Sequence, residues 1–286
     1  MTSLARTERE VRSAIREARG AHRRIGLVPT MGALHAGHLS LVEAARAHCD
    51  YVVVSIFVNP TQFGPHEDFD RYPRQLEEDC QRLEGRAELV FAPTVEVMYP
   101  PGFSTFVEPP QVAHRWEGEC RPGHFRGVTT VVLKLFTLVQ PDVAFFGEKD
   151  YQQLQVIRRM VVDLNFPIEI IGCPLIRDDD GVALSSRNQH LSGEERERAR
   201  SLSAALFAAR RAVAQGERNV ERLVTQMMGM LRAAQVDRID YVAIVDPESL
   251  EPVEQVDRPS QALIAAHVGS TRLIDNLRLD PCASGS

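Results

Sequence analysis

The 286 residues are 44% hydrophobic and 25% charged, the balance of a chain able to bury a sizeable core in one large or two moderate domains. A formal charge of −6 and a pI near 5.9 exclude a general nucleic-acid surface, because backbone binding needs a basic field to release counterions. No run of about 18 apolar residues occurs. Met1 to Gly20 mixes Arg and Glu without the apolar centre of a signal peptide, so no membrane partner is expected and the default compartment is cytoplasmic.

In chain order, the first half alternates short apolar runs with helical spacing, the pattern of a parallel α/β sheet. Ile25 to Val28 reads as a strand ended by Pro29. Gly37 to His48 follows as a helix with Leu39, Leu41, Val42 and Ala45 on its apolar face, and Tyr51 to Phe57 as a buried strand. A polar loop from Asn59 to Tyr72 leads to a helix from Pro73 to Leu83, since proline suits a first helical position whose N–H has no partner. Glu88 to Ala92 reads as a strand, Phe103 to Val107 as a further candidate, and Gly127 to Val139 as a largely apolar helix. Val143 to Phe146 is a short strand feeding Gly147-Glu148-Lys149-Asp150 and a helix with Leu154, Ile157, Met160 and Val161 on its apolar positions. Ile168 to Ile171 is the next strand.

After Asp178 the order changes: helices at Ser192 to Ala214 and Val220 to Ala234 precede strands at Ile239 to Val245, Ala262 to Val268 and Thr271 to Ile274. The expected fold class is α/β, a Rossmann-like parallel-sheet domain over residues 1–176 followed by a smaller α+β domain over 177–286, with a disordered tail from Asp280. The boundary near Ile176 carries no Gly/Ser-rich linker. The five cysteines, Cys49, Cys80, Cys120, Cys173 and Cys282, are scattered without metal-ligand spacing and read as reduced thiols, with no protein metal site expected.

Strand ends deliver the polar motifs, as an open α/β sheet requires for ligand binding at its carboxyl edge. The first is Pro29-Thr30-Met31-Gly32-Ala33-Leu34-His35-Ala36-Gly37-His38. Glycine lets a phosphate approach, a helix N-terminus favours anions, and two histidines three residues apart fall on one helical turn as donors. By itself the segment also reads as a glycine turn carrying two histidines. Phe57-Val58-Asn59-Pro60-Thr61-Gln62-Phe63 places neutral amides at the next strand end, although Asn-Pro-Thr alone is an ordinary turn. Gly147 to Gln153 puts Lys149 at a strand-to-helix switch. The chain holds 33 basic residues of which only Lys134 and Lys149 are lysines, so a compact ammonium there hints at a specific use. Leu184-Ser185-Ser186-Arg187-Asn188 supplies two hydroxyls and a guanidinium for phosphate oxygens, or else a helix-capping cluster. Asp178-Asp179-Asp180 before Gly181 reads as a solvated turn.

The His-Ala-Gly-His pattern resembles the signature of the adenylyl-transferring superfamily. The longer string through Leu39-Ser40-Leu41-Val42, with the other motifs in order over residues 20 to 278, resembles the pantoate–β-alanine ligase family. Ala36 departs from the charged residue common between the two histidines, without removing a group that the chemistry requires. The resemblance implies an AMP-forming ligase that joins pantoate to β-alanine through pantoyl adenylate, with ATP as co-substrate and Mg²⁺ held mainly by its phosphates. It implies ATP contacts along Met31, Gly32, Ala33, Leu34, His35, Ala36, Gly37 and His38, along Gly147, Glu148, Lys149 and Asp150, and at Ile176, Leu184, Ser185, Ser186 and Arg187. Gln62 and Gln153, with Asn59 nearby, are implied to meet the acid substrate, and His35, His38 and Lys149 to act in catalysis. Arg121, His124 and Arg126 are implied to shape the pocket, and the assembly to be a homodimer. Two rivals are a nucleotidyltransferase that leaves the nucleotide on its product and an inert nucleotide-binding protein.

Overall fold

The structure, a computed structural model, describes residues 2–65, 67 and 69–281. Cys282 and the rest of the expected disordered tail beyond Pro281 lie outside the described residues. The elements are β1 (Ser3–Ala5), α1 (Glu8–Gly20), β2 (Ile25–Thr30), α2 (Ala36–His48), β3 (Tyr51–Ile56), α3 (Leu76–Leu83), β4 (Leu89–Phe91) and the short α4 (Val95–Met98) and α5 (Glu117–Cys120). They continue through α6 (His124–Val139), β5 (Val143–Gly147), α7 (Tyr151–Asp163), β6 (Glu169–Cys173), α8 (Gly193–Ala214), α9 (Val220–Ala233), β7 (Arg238–Val245), β8 (Ser260–Val268) and β9 (Thr271–Leu279).

β1 to β6 form one parallel sheet in the order β1-β4-β3-β2-β5-β6. Its central strands are buried on both faces, and side chains alternate with the strand period of two. Val53 and Phe57 pack with Val11 and Ile15 of α1 and Val132 and Phe136 of α6. Val52 and Val54 pack with Leu41 and Val42 of α2 and Leu83 of α3. The strand order reverses beside β2: β3 and β4 lie on one side, β5 and β6 on the other. A reversal of this kind opens a crevice at the carboxyl ends of the two flanking strands, here those of β2 and β5.

Pro29 does not end β2, which runs through it to Thr30. β2 pairs with β5 only at Gly26 and Leu27, so at Pro29 one flank of the strand has no ladder bond to lose. The expected strand at Phe103 to Val107 is absent from the described residues. Helix α6 satisfies this stretch with side chains instead: Thr130 Oγ1 accepts from the Val107 N–H at 3.0 Å and Thr129 Oγ1 donates to the Val107 carbonyl at 2.9 Å. α3 begins at Leu76 rather than Pro73, because Arg74 turns back to donate to the Tyr72 and Phe69 carbonyls. β1 and α1 were not anticipated.

The chain divides into two compact units. One runs to Glu148 and resumes over Gln153–Pro174; the other comprises Lys149–Gln152 and the chain from Leu175. In the second, α8 and α9 cover the antiparallel sheet β7-β8-β9, burying Leu202, Leu206, Leu223, Met227, Ile264 and Val268 together. Lys149–Gln152 is held within this second unit. Asn276 Nδ2 donates to the Lys149 carbonyl at 2.9 Å, and the Tyr151 hydroxyl donates to the Pro247 carbonyl at 3.0 Å.

Candidate active site

Met31 to Leu34 leave the carboxyl end of β2 and turn into α2, with His35 as the helix N-cap and Ala36, Gly37 and His38 in its first turn. His35 lies outside the helix, in extended backbone, so the two imidazoles do not meet by helical spacing. They meet through a reciprocal cap. His35 Nδ1 accepts from the Gly37 N–H at 3.1 Å, His38 Nδ1 accepts from the His35 N–H at 3.3 Å, and the ring centroids are 4.0 Å apart. An acceptor Nδ1 places the proton of a neutral imidazole on Nε2, which makes each ring an Nε2–H donor. The main-chain N–H groups of Ala33 and Leu34 are taken up by the Asp79 carboxylate at 2.9 and 2.8 Å. What this turn offers an anion is therefore chiefly two oriented rings rather than a bare helix end.

The amides after β3 form a saturated network. Asn59 is 1% exposed; its Oδ1 accepts from Thr61 Oγ1, the Thr61 N–H and the Tyr99 hydroxyl, and its Nδ2 donates to Gln62 Oε1 at 3.0 Å and the Gly127 carbonyl at 3.2 Å. Both donors of Asn59 are thus committed, and one of them orients Gln62. Gln62 Nε2 consequently points at Met31 Sδ, 3.2 Å away, and a thioether is a weak acceptor that a carboxylate or hydroxyl oxygen surpasses. Gly127 lets α6 come this close, since a Cβ there would sit 2.3 Å from the Thr61 carbonyl oxygen. Asn59→Asp removes both donors and leaves an acceptor that turns Gln62 Nε2 away from Met31. If the acid substrate implied by the sequence resemblance meets Gln62, the expected outcome is a rise of about tenfold or more in its KM with the ATP KM unchanged, read from steady-state kinetics; an unchanged value would count against that contact.

His124 and Arg121 hold the same turn from below. His124 Nδ1 donates to the Gln62 carbonyl at 2.9 Å, and its Nε2 accepts from Arg121 Nη1 at 3.2 Å. Arg121 also grips Glu67 with two bonds of 2.7 and 2.6 Å. Burial first, then the Arg121 charge, push the His124 imidazole down to about 4, so the ring is neutral in the fold. The unfolded chain takes up a proton at this residue below its ordinary value of 6.5. The site's contribution to stability is therefore complete above that pH and is lost as pH falls toward about 4. The expected loss reaches about 3 kcal/mol, at 1.36 kcal/mol per unit. Urea unfolding across this range checks it: His124→Asn should flatten the slope, and an identical slope in the variant assigns it elsewhere.

In the second unit, Lys149 and Asp150 complete the 3₁₀ turn Glu148–Asp150, with Lys149 Nζ 3.9 Å from Asp150 Oδ2. Gln153, which belongs to the first unit, is half-buried in the first turn of α7. The Ile176 carbonyl accepts from the Leu184 N–H, closing a hairpin that carries Ser185, Ser186 and Arg187. Ser185 Oγ accepts from the Arg187 N–H at 3.3 Å, so it caps the turn that presents Ser186 and Arg187. Asp178 and Asp180 pair with Arg196 at 2.6 and 2.7 Å. Two of the three carboxylates of that acidic turn thus share one guanidinium. Cys49, Cys80 and Cys173 are free thiols, and burial pushes Cys49 and Cys173 up to about 11, which removes both as nucleophiles near neutral pH. Among the described residues no group of three or more His, Cys, Asp or Glu could hold a metal ion.

An open parallel sheet that delivers an oriented histidine pair and a fixed glutamine donor beside its reversal point defines the class: an α/β enzyme fold with a ligand crevice at its carboxyl edge. The comparisons narrow it. The Pantoate-beta-alanine ligase family matches residues 3–278, and the chain belongs to that family. It is 53% identical to the pantothenate synthetase of Rhizorhabdus wittichii over 97% of this chain and 99% of that protein, and 52% identical to that of Thermotoga petrophila over 96% and 98%. The solved pantothenate synthetase of Thermus thermophilus superposes with a TM-score of 0.93 at 49% identity, covering 98% of this chain and 100% of the other. A Francisella tularensis pantoate-beta-alanine ligase, solved in complex with beta-gamma ATP and beta-alanine, gives a TM-score of 0.80 at 35% identity, with 97% of each chain covered.

Proposed function

We propose that the chain condenses pantoate with β-alanine to pantothenate through a pantoyl-adenylate intermediate, converting ATP to AMP and pyrophosphate. The observation that carries the reading is the histidine pair, two Nε2–H donors preset at the carboxyl edge of the sheet. The family match supplies the substrates, and the Francisella relative complexed with beta-gamma ATP and beta-alanine supports two of them.

In the first half-reaction a pantoate carboxylate oxygen attacks the α-phosphorus of ATP, the bond to the β-phosphate bridging oxygen breaks, and pyrophosphate leaves. Charge grows on the phosphate oxygens, and preorganised donors aimed there lower the barrier. His35 and His38 supply such donors, with Lys149 as a point charge and Ser186 and Arg187 as further phosphate ligands. A general-acid role for His38 requires a second ring proton on Nδ1, which would displace the bond from the His35 N–H. The geometry favours hydrogen-bond donation from Nε2 instead. Gln62 and Gln153 bind pantoate, with Asn59 acting through Gln62. In the second half-reaction the neutral amine of β-alanine attacks the acyl carbon, the mixed-anhydride C–O bond breaks, AMP leaves and the amine sheds a proton. Mg²⁺, held mainly by the nucleotide's phosphates, would supply charge neutralisation there.

The first domain carries the ATP and pantoate contacts of the parallel sheet, and the second carries the Ser-Ser-Arg loop. No helix among the described residues is long and apolar enough to cross a membrane. A cytoplasmic homodimer without nucleic-acid partners completes the reading, and light scattering in solution tests the assembly. The function itself is tested by product analysis with ATP, pantoate and β-alanine, together and with each omitted. AMP and pantothenate should appear only with all three. A stable nucleotidylated product would instead favour a nucleotidyltransferase.

A further inference from the structure

The turn that carries the histidines is bent in a way its own sequence does not favour. Gly32 and Ala33 are both left-handed, with φ of 85° and 51°, and for a residue bearing a Cβ this costs roughly 1–2 kcal/mol. Such a bend survives only where its surroundings over-determine it. It also turns successive N–H groups to one side, the geometry of an anion receptor. Here the anion is the protein's own. Asp79 of α3, with no exposed surface, places Oδ2 on the Ala33 N–H and Oδ1 on the Leu34 N–H. Arg82, one helical turn further along α3, donates to the Leu34 carbonyl. One face of α3 therefore grips consecutive peptide groups immediately before His35. Gly32 is fitted to the grip: a Cβ there would lie 3.0 Å from Asp79 Oδ2 and 3.1 Å from Ile56 Cγ2.

We propose that Asp79 and Arg82 are positioning residues, a clamp on α3 that fixes the main chain of Ala33 and Leu34 and thereby presets the imidazoles of His35 and His38 for adenylate formation. The clamp acts through backbone alone. It rests on the reading of the two histidines as groups that meet ATP phosphates. Its specific consequence is that loosening it affects the first half-reaction in kcat, since the donors are misplaced, while pantoate, held by Gln62, still binds.

The test uses the full chain with Asp79→Asn, which sets an amide N–H₂ against main-chain donors, and Arg82→Gln. Each variant is assayed for pantoate-dependent pyrophosphate–ATP exchange, and for conversion of supplied pantoyl adenylate with β-alanine. Expected are an exchange kcat lower by about tenfold or more, equivalent to 1.4 kcal/mol of barrier, a pantoate KM within about twofold of wild type, and a second half-reaction that changes less. Long-range ¹H–¹⁵N spectra of the histidine rings give a readout independent of turnover: unprotonated Nδ1 signals for His35 and His38 in the wild type, moving toward the shifts of mobile imidazoles in the variants. Folded Asp79→Asn with wild-type exchange and wild-type ring shifts overturns the clamp. Should that variant not fold, Arg82→Gln decides by the same criteria. A wild type without pantoate-dependent exchange overturns the adenylation reading instead, and the ring spectra alone then decide the clamp.

Discussion

His38→Ala is expected to lower pantoate-dependent exchange of labelled pyrophosphate into ATP by about 10²- to 10³-fold, the usual effect of deleting one aimed donor where charge develops. On the proposed reading, in which the ring serves the phosphoryl step and Gln62 the acid, the loss should fall on kcat with the pantoate KM little changed. The two histidines act as a unit. His38 Nδ1 holds the His35 N–H, and the tilted rings lie with centroids 4.0 Å apart, so alanine at 38 also releases His35. Combined with His35→Ala it should therefore cost much less than the product of the two separate effects. His38→Gln separates holding from donating: glutamine at the third helical position can rebuild the cap and offers one amide donor, so its activity should lie between wild type and alanine. Lys149→Ala is expected to fall in the same range by the same assay. Exchange within about twofold of wild type for His38→Ala would sink the role assigned to the ring.

The sheet was legible because its strands carry their signal locally. Tyr51 to Ile56 carries three valines and an isoleucine, and lies within one residue of the stretch expected to be a strand. Three of the motif placements were legible for the same reason, since the segments after Thr30, after Ile56 and at Gly147 sit where a strand stops, whereas the Ser-Ser-Arg segment does not. Edges and caps were less so. β1 is three residues long and exists only by pairing with β4, more than eighty residues away, which no local pattern can announce. α1 did leave a signal, a Thr7–Glu10 capping box followed by Val11, Ile15 and Ala18 at helical spacing, and a search for that box would have found it. β9 continues five residues past the expected Ile274 because Leu277 and Leu279 alternate onto the core while Arg278 faces out.

Within the site, residue types were legible but division of labour was not. Nothing in the string Asn-Pro-Thr-Gln says that Asn59 is spent on orienting Gln62, because the partners that fix Asn59 for it, Gly127 and Tyr99, come from α6 and from the segment after α4. Asp79 was hidden for a related reason. In the sequence it is one of three consecutive acids at the start of a helix, a pattern that the helix dipole alone explains. Only the fold shows that Glu77 and Glu78 face solvent while Asp79 is buried against the turn after β2.

Asp275→Asn is expected to destabilise the second unit by about 3–5 kcal/mol, the cost of leaving half of a buried ion pair behind. Arg177 meets Asp275 through two bonds of 2.7 and 2.9 Å, with side-chain exposures of 16% and 3%. Burial raises the Asp275 carboxyl above its ordinary range even with Arg177 beside it, so desolvation outweighs the attraction felt by this carboxylate. The pair therefore contributes little net stability as a whole, while either partner alone is costly. Arg177→Met with Asp275→Leu should accordingly recover most of what Asp275→Asn loses, a double-mutant cycle readable by urea unfolding followed in the second unit. Function should not recover with it. Arg177 also donates to the Gly181 and Asn276 carbonyls, and Asn276, its Oδ1 fixed by Gln261, holds the Lys149 carbonyl. One pair thus braces both the turn before the Ser-Ser-Arg loop and the main chain of Lys149. A stable double variant whose exchange rate stays near wild type would show that Lys149 is placed without this frame; a stable one with a tenfold or lower rate would assign the pair to positioning rather than to stability.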